Sequence, residues 1–208
     1  MSMKLAPIHQ YGQGKRKLLD AAARLAAREG AASLSVRALA QEAGLSTNAI
    51  YRHFESVDSL MIELIADFGG QLREGLRAAR LAAPAGQPPS RTVVGWLLDF
   101  ALAHPDEFVV SMRERHGALA PAKDAIEASL TRIRQEMLGD FRAQGRLPSL
   151  SDQDIDLALR VIIDQTFGLC LQCIEAPQRR SAILAEAELV FMWVMAGAAT
   201  VSARPTST

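Results

Sequence analysis

GLSTNAIYRHF, Gly44 to Phe54, follows a glycine with a dense set of hydrogen-bonding side chains. On a helix over Thr47 to Phe54, turning about 100° per residue, Thr47, Asn48, Tyr51 and Arg52 share one arc. Ile50 and Phe54 fall together on another side. Those two can pack inward while four polar groups face outward, as in a helix that enters a major groove. His53 lies toward the edge of the arc, where a phosphate contact suits it better than a base contact. A metal corner is excluded by the lack of a carboxylate or thiol at helical spacing from the single histidine. A nucleophilic triad would need a buried, oriented Ser–His pair, which this short helix does not offer. The local pattern alone leaves two readings open: a DNA-reading edge and a solvated polar face.

The surroundings favour the first. Apolar Leu18, Ala22 and Leu25 recur at helical spacing over Gln13 to Glu29, and Gly30 is placed to end that helix. Ser35 is placed to cap a second helix with Val36, Leu39, Ala40 and Ala43 inward. Gly44 supplies a turn and Ser46 a cap for the third, giving a helix-turn-helix pattern. The chain of 208 residues has a net charge of zero, but residues 1–55 hold eight Lys/Arg against four Asp/Glu. A basic head on an acidic body suits a polyanion-binding module on a carrier.

Beyond it, Leu60, Leu64, Phe68, Leu72 and Leu76 recur every four residues along a fourth helix that starts at Ser56 and Asp58. PAGQPPS, Pro84 to Ser90, breaks the pattern. Helices are expected near 91–103, 105–116, 122–144, 151–175 and 178–203, and no period-two run is long enough for a strand. The expected fold is all-α with about nine helices: a mobile arm at 1–12, a DNA-binding domain at 13–55, and a larger ligand-binding and dimerisation domain at 56–208. The first residues hold no apolar run of signal-peptide length. The most apolar run, Leu189 to Val201, is shorter than the roughly twenty residues that cross a bilayer. The expectation is a soluble cytoplasmic protein without a membrane partner.

LSVRALAQEAGLSTNAIYRHFESVDSLMIELI, Leu34 to Ile65, resembles the helix-turn-helix of the tetracycline-repressor (TetR) family of bacterial regulators. The resemblance rests on the Leu34/Ser35 entry, the Ala40 and Gly44 turn frame, YRHF, and the helix directly after it. It implies a two-fold dimer on a pseudo-palindromic double-stranded DNA operator, with a small-molecule pocket in the larger domain, no catalysis and no cofactor. By the same resemblance Arg37, Thr47, Asn48 and Tyr51 face bases or nearby backbone, and Arg52 and His53 lie near phosphates. Lys15 and Arg16 lie at the duplex edge, and Ser46 joins the DNA-binding set as the residue that opens the reading helix. Val36 and Ala49 stand where the family's name-giving member has hydroxyls, so those two contacts are not carried over.

The last two helices are apolar on more than one face. The resemblance implies that they pair with their symmetry mates in a homodimer, Gly197, Ala198 and Ala199 permitting close approach. Cys170 and Cys173 share a helix face without further ligands nearby, which fits buried small hydrophobes better than zinc or redox chemistry. Candidate pocket residues are Trp96, Phe100, Phe108, Met112, Phe141 and Phe167, each of which would serve equally as ordinary core. RERHG, Arg113 to Gly117, is similar to a segment of the family's repressors of unsaturated fatty-acid synthesis and desaturase genes. That similarity implies a long-chain acyl-CoA or fatty acid as effector, with Arg113 or Arg115 meeting its polar part. Another apolar effector, as in efflux-type repressors, is the alternative. A helical acyl-thioester enzyme would need a nucleophile beside His104 or His116, and no serine or cysteine has an activating spacing there.

Overall fold

The computed structural model describes residues 12–84, 89–145 and 147–202. These form nine α-helices and, among the described residues, no strand. The mobile arm expected at 1–12 lies outside the described residues apart from Gly12.

Helix α1, Gln13–Glu29, ends on Gly30 at φ 86°, whose N–H donates to the Ala26 carbonyl. A short 3-10 turn leads to α2, Val36–Ala43, where the Ser35 hydroxyl accepts from the Ala38 N–H at 3.2 Å. Gly44 takes the left-handed conformation at φ 64°, and the Leu45 N–H returns to the Ala40 carbonyl at 2.9 Å. A residue with a Cβ would be strained there. Helix α3, Thr47–Tyr51, is shorter than expected, and Arg52 and His53 lie in a turn. The physical reason is the cap of the next helix. Ser56 and Ser59 cap α4, Val57–Leu81, reciprocally, each hydroxyl accepting the other's backbone N–H at 3.0 Å. The chain must leave helical geometry before Ser56 for that cap to form. Ser46 sits at the N-cap position of α3 in extended backbone, but its side chain makes no capping bond.

The remaining helices are α5, Ser90–Ala103; α6, Pro105–Glu114; α7, Ala120–Ala143; α8, Asp152–Glu175; and α9, Arg180–Ser202. Their ends lie within about two residues of the ranges read from the sequence. Pro105 opens α6 where no N–H is missed, and the Ser151 hydroxyl accepts from Asp154 N–H to open α8.

Two compact units emerge. One comprises the described part of Met1–Glu74 with His104–Ser129, the other Gly75–Ala103 with Leu130–Thr208 as far as described. The division therefore falls inside α4 and α7. In the first unit α1 packs on α2 and α6 around Leu18, Leu39, Ile50, Leu60 and Val110. In the second, α8 and α9 form a hairpin covered by α5. Cys170 and Cys173 are buried in α8, and burial pushes the Cys170 thiol well above its usual range.

Counted as whole helices, α8 and the Pro177–Val201 segment are long and apolar enough to cross a membrane, which the thirteen-residue run in the sequence did not suggest. Half of the apolar window of α8 is nevertheless buried within the protein.

The glycines of α4 serve close approach. A Cβ on Gly75 would run into the Trp96 ring, and Trp96 is itself fixed by stacking on Phe100 at 4.9 Å. A Cβ on Gly69 would meet the Ser129 hydroxyl at 2.7 Å. We therefore expect Gly75→Ala to lower stability in urea unfolding, because overpacking costs about 1–3 kcal/mol and alanine's better helix propensity offsets only about 1 kcal/mol.

Candidate nucleic-acid interface and apolar cavity

The helix-turn-helix is held from behind. Ile50 and Phe54 are 1% and 4% exposed, packed in the first core, so the opposite side of α3 has to face solvent. Thr47, Asn48, Tyr51, Arg52 and His53 are all exposed there, Tyr51 to 62%, and Ser46 is exposed beside them. An aromatic ring left that open on a five-residue helix contributes nothing to the core. Arg37 is exposed on α2. His53 lies against the first turn of α1, close enough that a Cβ on Gly14 would be 3.1 Å from its Nε2.

Two expected contacts at the start of α1 are already engaged inside the protein. Lys15 pairs with Glu63 at 2.6 Å and lies 5.1 Å from the Phe54 ring centroid, fastening α1 to α4. Arg16 bonds Asp20 at 2.8 Å and reaches Asp67 at 3.5 Å and Glu107 at 3.9 Å. Asp67 is 6% exposed and also accepts from the Gln71 amide at 2.9 Å. Arg16 therefore links α1, α4 and α6 across a small polar pocket that His104 also lines. By contrast Lys17 on α1, outside the set of expected DNA contacts, is exposed. Lys17, Arg37 and Arg52 form no ion pair among the described residues. These three are the cations of this unit best placed for an external polyanion.

Within the second unit a cavity of about 120 Å³ lies among α4, α5, α7, α8 and α9. Leu76, Leu97, Ile133, Met137 and Ile163 supply much of its apolar wall, with Phe141 and Phe167 among them. Arg80 and Asp140 also contribute. The other expected pocket residues are elsewhere. Trp96 and Phe100 stack on one another, and Phe108 packs edge-on against Phe68 at 5.8 Å in the first unit. Met112 is half-buried on α6 and away from the cavity lining. Arg113 donates to the carbonyls of Ala26 and Ala27, closing the C-terminal end of α1, and Arg115 pairs with Glu127 at 2.7 Å. The groups that engage these two arginines lie twelve or more residues away in sequence, so no local pattern announced the pairings. Leu76 and its neighbours were legible only as one stripe of α4.

Residues 18–64 match the family described as bacterial regulatory proteins, tetR family. Solved structures agree in fold. The fatty acid degradation regulator FadR from Bacillus halodurans superposes with a TM-score of 0.74 at 18% identity, over 91% of this chain and 98% of that one. A TetR-like transcriptional regulator from Rhodococcus sp. RHA1 gives 0.71 at 19% identity, over 91% and 99%. FadR from Bacillus subtilis, solved in complex with stearoyl-CoA, gives 0.69 at 18% identity, over 86% and 96%.

Residues 18–64 are thus those of a tetR-family regulatory protein's N-terminal domain. The matched stretch spans α2 and α3, which form the helix-turn-helix.

Arg16 is expected to behave as a structural residue. Arg16→Ala should lower unfolding stability by roughly 1–3 kcal/mol, since it removes a cation from the buried Asp67 carboxylate and from Asp20 and Glu107. Lys17→Ala should stay within about 0.5 kcal/mol of the parent. Urea titration of the two variants distinguishes the roles, and equal stability would remove the structural assignment.

Proposed function

We propose that this regulator is a homodimeric repressor that holds a pseudo-palindromic operator and releases it when an apolar effector enters the cavity of the second unit. The observation that carries the DNA reading is the exposed edge of Thr47, Asn48, Tyr51 and Arg52 on a helix whose other side is buried. Tyr51 with Thr47 and Asn48 reads base edges or nearby backbone, and Arg37, Arg52 and His53 position the phosphates. Lys15 and Arg16 act mainly by orienting α1, given their internal ion pairs.

Support for the dimer comes from apolar surface that the chain leaves open. Leu157 and Val161 on α8, with Leu189, Met192 and Val201 on α9, are exposed, and Trp193 is 69% exposed. A bilayer is a poor fit to this face, because Arg160 and Asp164 are also exposed on α8 and charge is costly in hydrocarbon. A second copy, offering the same surface about a two-fold axis, covers it. Two recognition helices then meet half-sites about 34 Å apart. The cytoplasm is where such a protein meets its operator.

The effector class is an acyl chain or similarly apolar molecule. Its support is the cavity wall and the fold shared with a regulator solved with stearoyl-CoA. A dry cavity of about 150 Å³ holds benzene, so the 120 Å³ present here takes a long chain only by widening. Leu76 and Arg80 form part of that wall and belong to α4, whose first turns carry Leu60 and Leu64 of the helix-turn-helix core. Widening therefore acts on the helix that sets the separation of the recognition helices. Arg113 and Arg115 are spent on α1 and Glu127, so the effector reading does not depend on them.

Tyr51→Ala should weaken operator binding by about 1–3 kcal/mol while salt-sensitive binding to unrelated duplex persists. Gel-shift titration on both duplexes decides, and an equal loss on both would overturn the base-reading role. Trp193→Glu should shift the protein to monomer in sedimentation, with operator affinity falling in parallel. A variant that stays dimeric would remove α9 from the interface.

A further inference from the structure

The cavity of the second unit has a wet end and a dry end. Leu81 lines it and is nevertheless 73% exposed, and Gln144, also in its lining, is exposed. Pro89 and Ser90 in the same lining are half-buried. Leu81 is the last residue of α4, Ser90 the first of α5, and Gln144 follows the last residue of α7, so the mouth lies where three helix ends meet. The rest of the wall is closed: Leu97, Ile133, Ile162 and Phe167 are no more than 6% exposed. Thr166, buried in that wall, already donates its hydroxyl to the Ile162 carbonyl at 2.7 Å.

Two physical costs orient a ligand in such a cavity. A charged or strongly polar group pushed to the dry end loses its water and finds Leu97, Ile133 and Phe167 in exchange. An apolar chain left outside keeps its surface in water. Both costs are avoided together only when the chain goes in and the polar group stays at the mouth. A cavity of about 120 Å³ is also too small to enclose an amphiphile whole. At the mouth the side chains of Ser90 and Gln144 are uncharged, and each can donate and accept. Asp140, in the same lining, has its charge answered by Arg80 at 2.7 Å. A head group there, surrounded by water, is read weakly for its charge.

We infer that the effector is an amphiphile bound tail first, its apolar end among Leu97, Ile133, Ile162 and Phe167 and its polar head in water at the mouth formed by Leu81, Ser90 and Gln144. This rests on the cavity being the effector site and adds the ligand's class and orientation. The site reads the tail and not the charge of the head, so a head too large for the cavity is no obstacle. A chain that is polar at both ends is excluded. The exposed Leu81 side chain covers the methylenes nearest the head, and the cavity widens around the rest of the tail.

Calorimetric titration of the full chain at neutral pH and low ionic strength with decanoate, decylammonium and decanedioate tests this. The two singly charged chains should bind within about fivefold of one another, the reach of a solvated charge pair. Decanedioate should bind at least about a hundredfold more weakly, because one of its carboxylates would have to leave water. Leu81→Lys should shift the preference severalfold toward decanoate and Leu81→Glu toward decylammonium, a reversal that misfolding would not produce. Decanedioate binding like decanoate, a wider gap between the two singly charged chains, or one unchanged preference in both Leu81 variants would each overturn the inference and leave the cavity as effector site. If no probe binds, or if Leu97→Trp, still helical by circular dichroism, leaves binding unchanged, the effector site itself is misplaced and the inference falls with it.

Discussion

The constraint on which the rest depends is the continuity of α4. A single hydrogen-bonded helix from Val57 to Leu81 closes the core beneath α3 with its first turns and walls the cavity with its last. A helix resists bending along its bonded backbone, and kinks arise at proline, at glycine or serine pairs, at π-bulges or at inserted groups. The glycines at 69 and 75 are packed against neighbours. Both are occupied by neighbours, Ser129 and the Trp96 ring, which fill the space a side chain would take and so hold the backbone. Packing at these positions turns potentially pliant residues into fixed points.

Charge is distributed by the same logic. The chain is neutral overall, and most of its arginines are committed to internal acids: Arg24 and Arg28 to Glu42, Arg134 to Asp156, Arg142 to Asp152, Arg180 to Asp99. Each such pair is worth little where exposed, but it removes a cation from the surface potential. Among the described residues around the helix-turn-helix, Lys17, Arg37 and Arg52 remain outside any ion pair. The excess of basic residues counted over 1–55 therefore overstates the free positive charge, although it locates the basic end correctly.

Legibility from sequence tracked the range of the interactions involved. The nine helices were readable because caps and apolar spacing are local: Ser35, Gly30, Gly44 and Ser151 sit where their chemistry requires. So was the inward and outward division of α3, since Ile50 and Phe54 decide it together. The early end of α3 was not, because it arises from competition with the Ser56–Ser59 cap of α4. The cavity was hardest. Of the aromatic residues expected to line it, Phe141 and Phe167 do, while Trp96, Phe100 and Phe108 pack on aromatic partners and aliphatic Leu76, Leu97 and Ile133 supply much of the rest of the wall. Nothing in a one-dimensional pattern separates an aliphatic residue facing a void from one facing another side chain.

The small size of the cavity bears on how such a regulator could respond at all. A pocket already large enough for its ligand would bind it without moving α4, and binding without differential affinity for two states shifts nothing. A pocket of 120 Å³ confronted with a longer chain must open, and the work of opening favours whichever arrangement of α4 makes room. Arg80 ties the two helices of that wall to one another, its guanidinium bonding Glu136 and Asp140 of α7 from the last turn of α4.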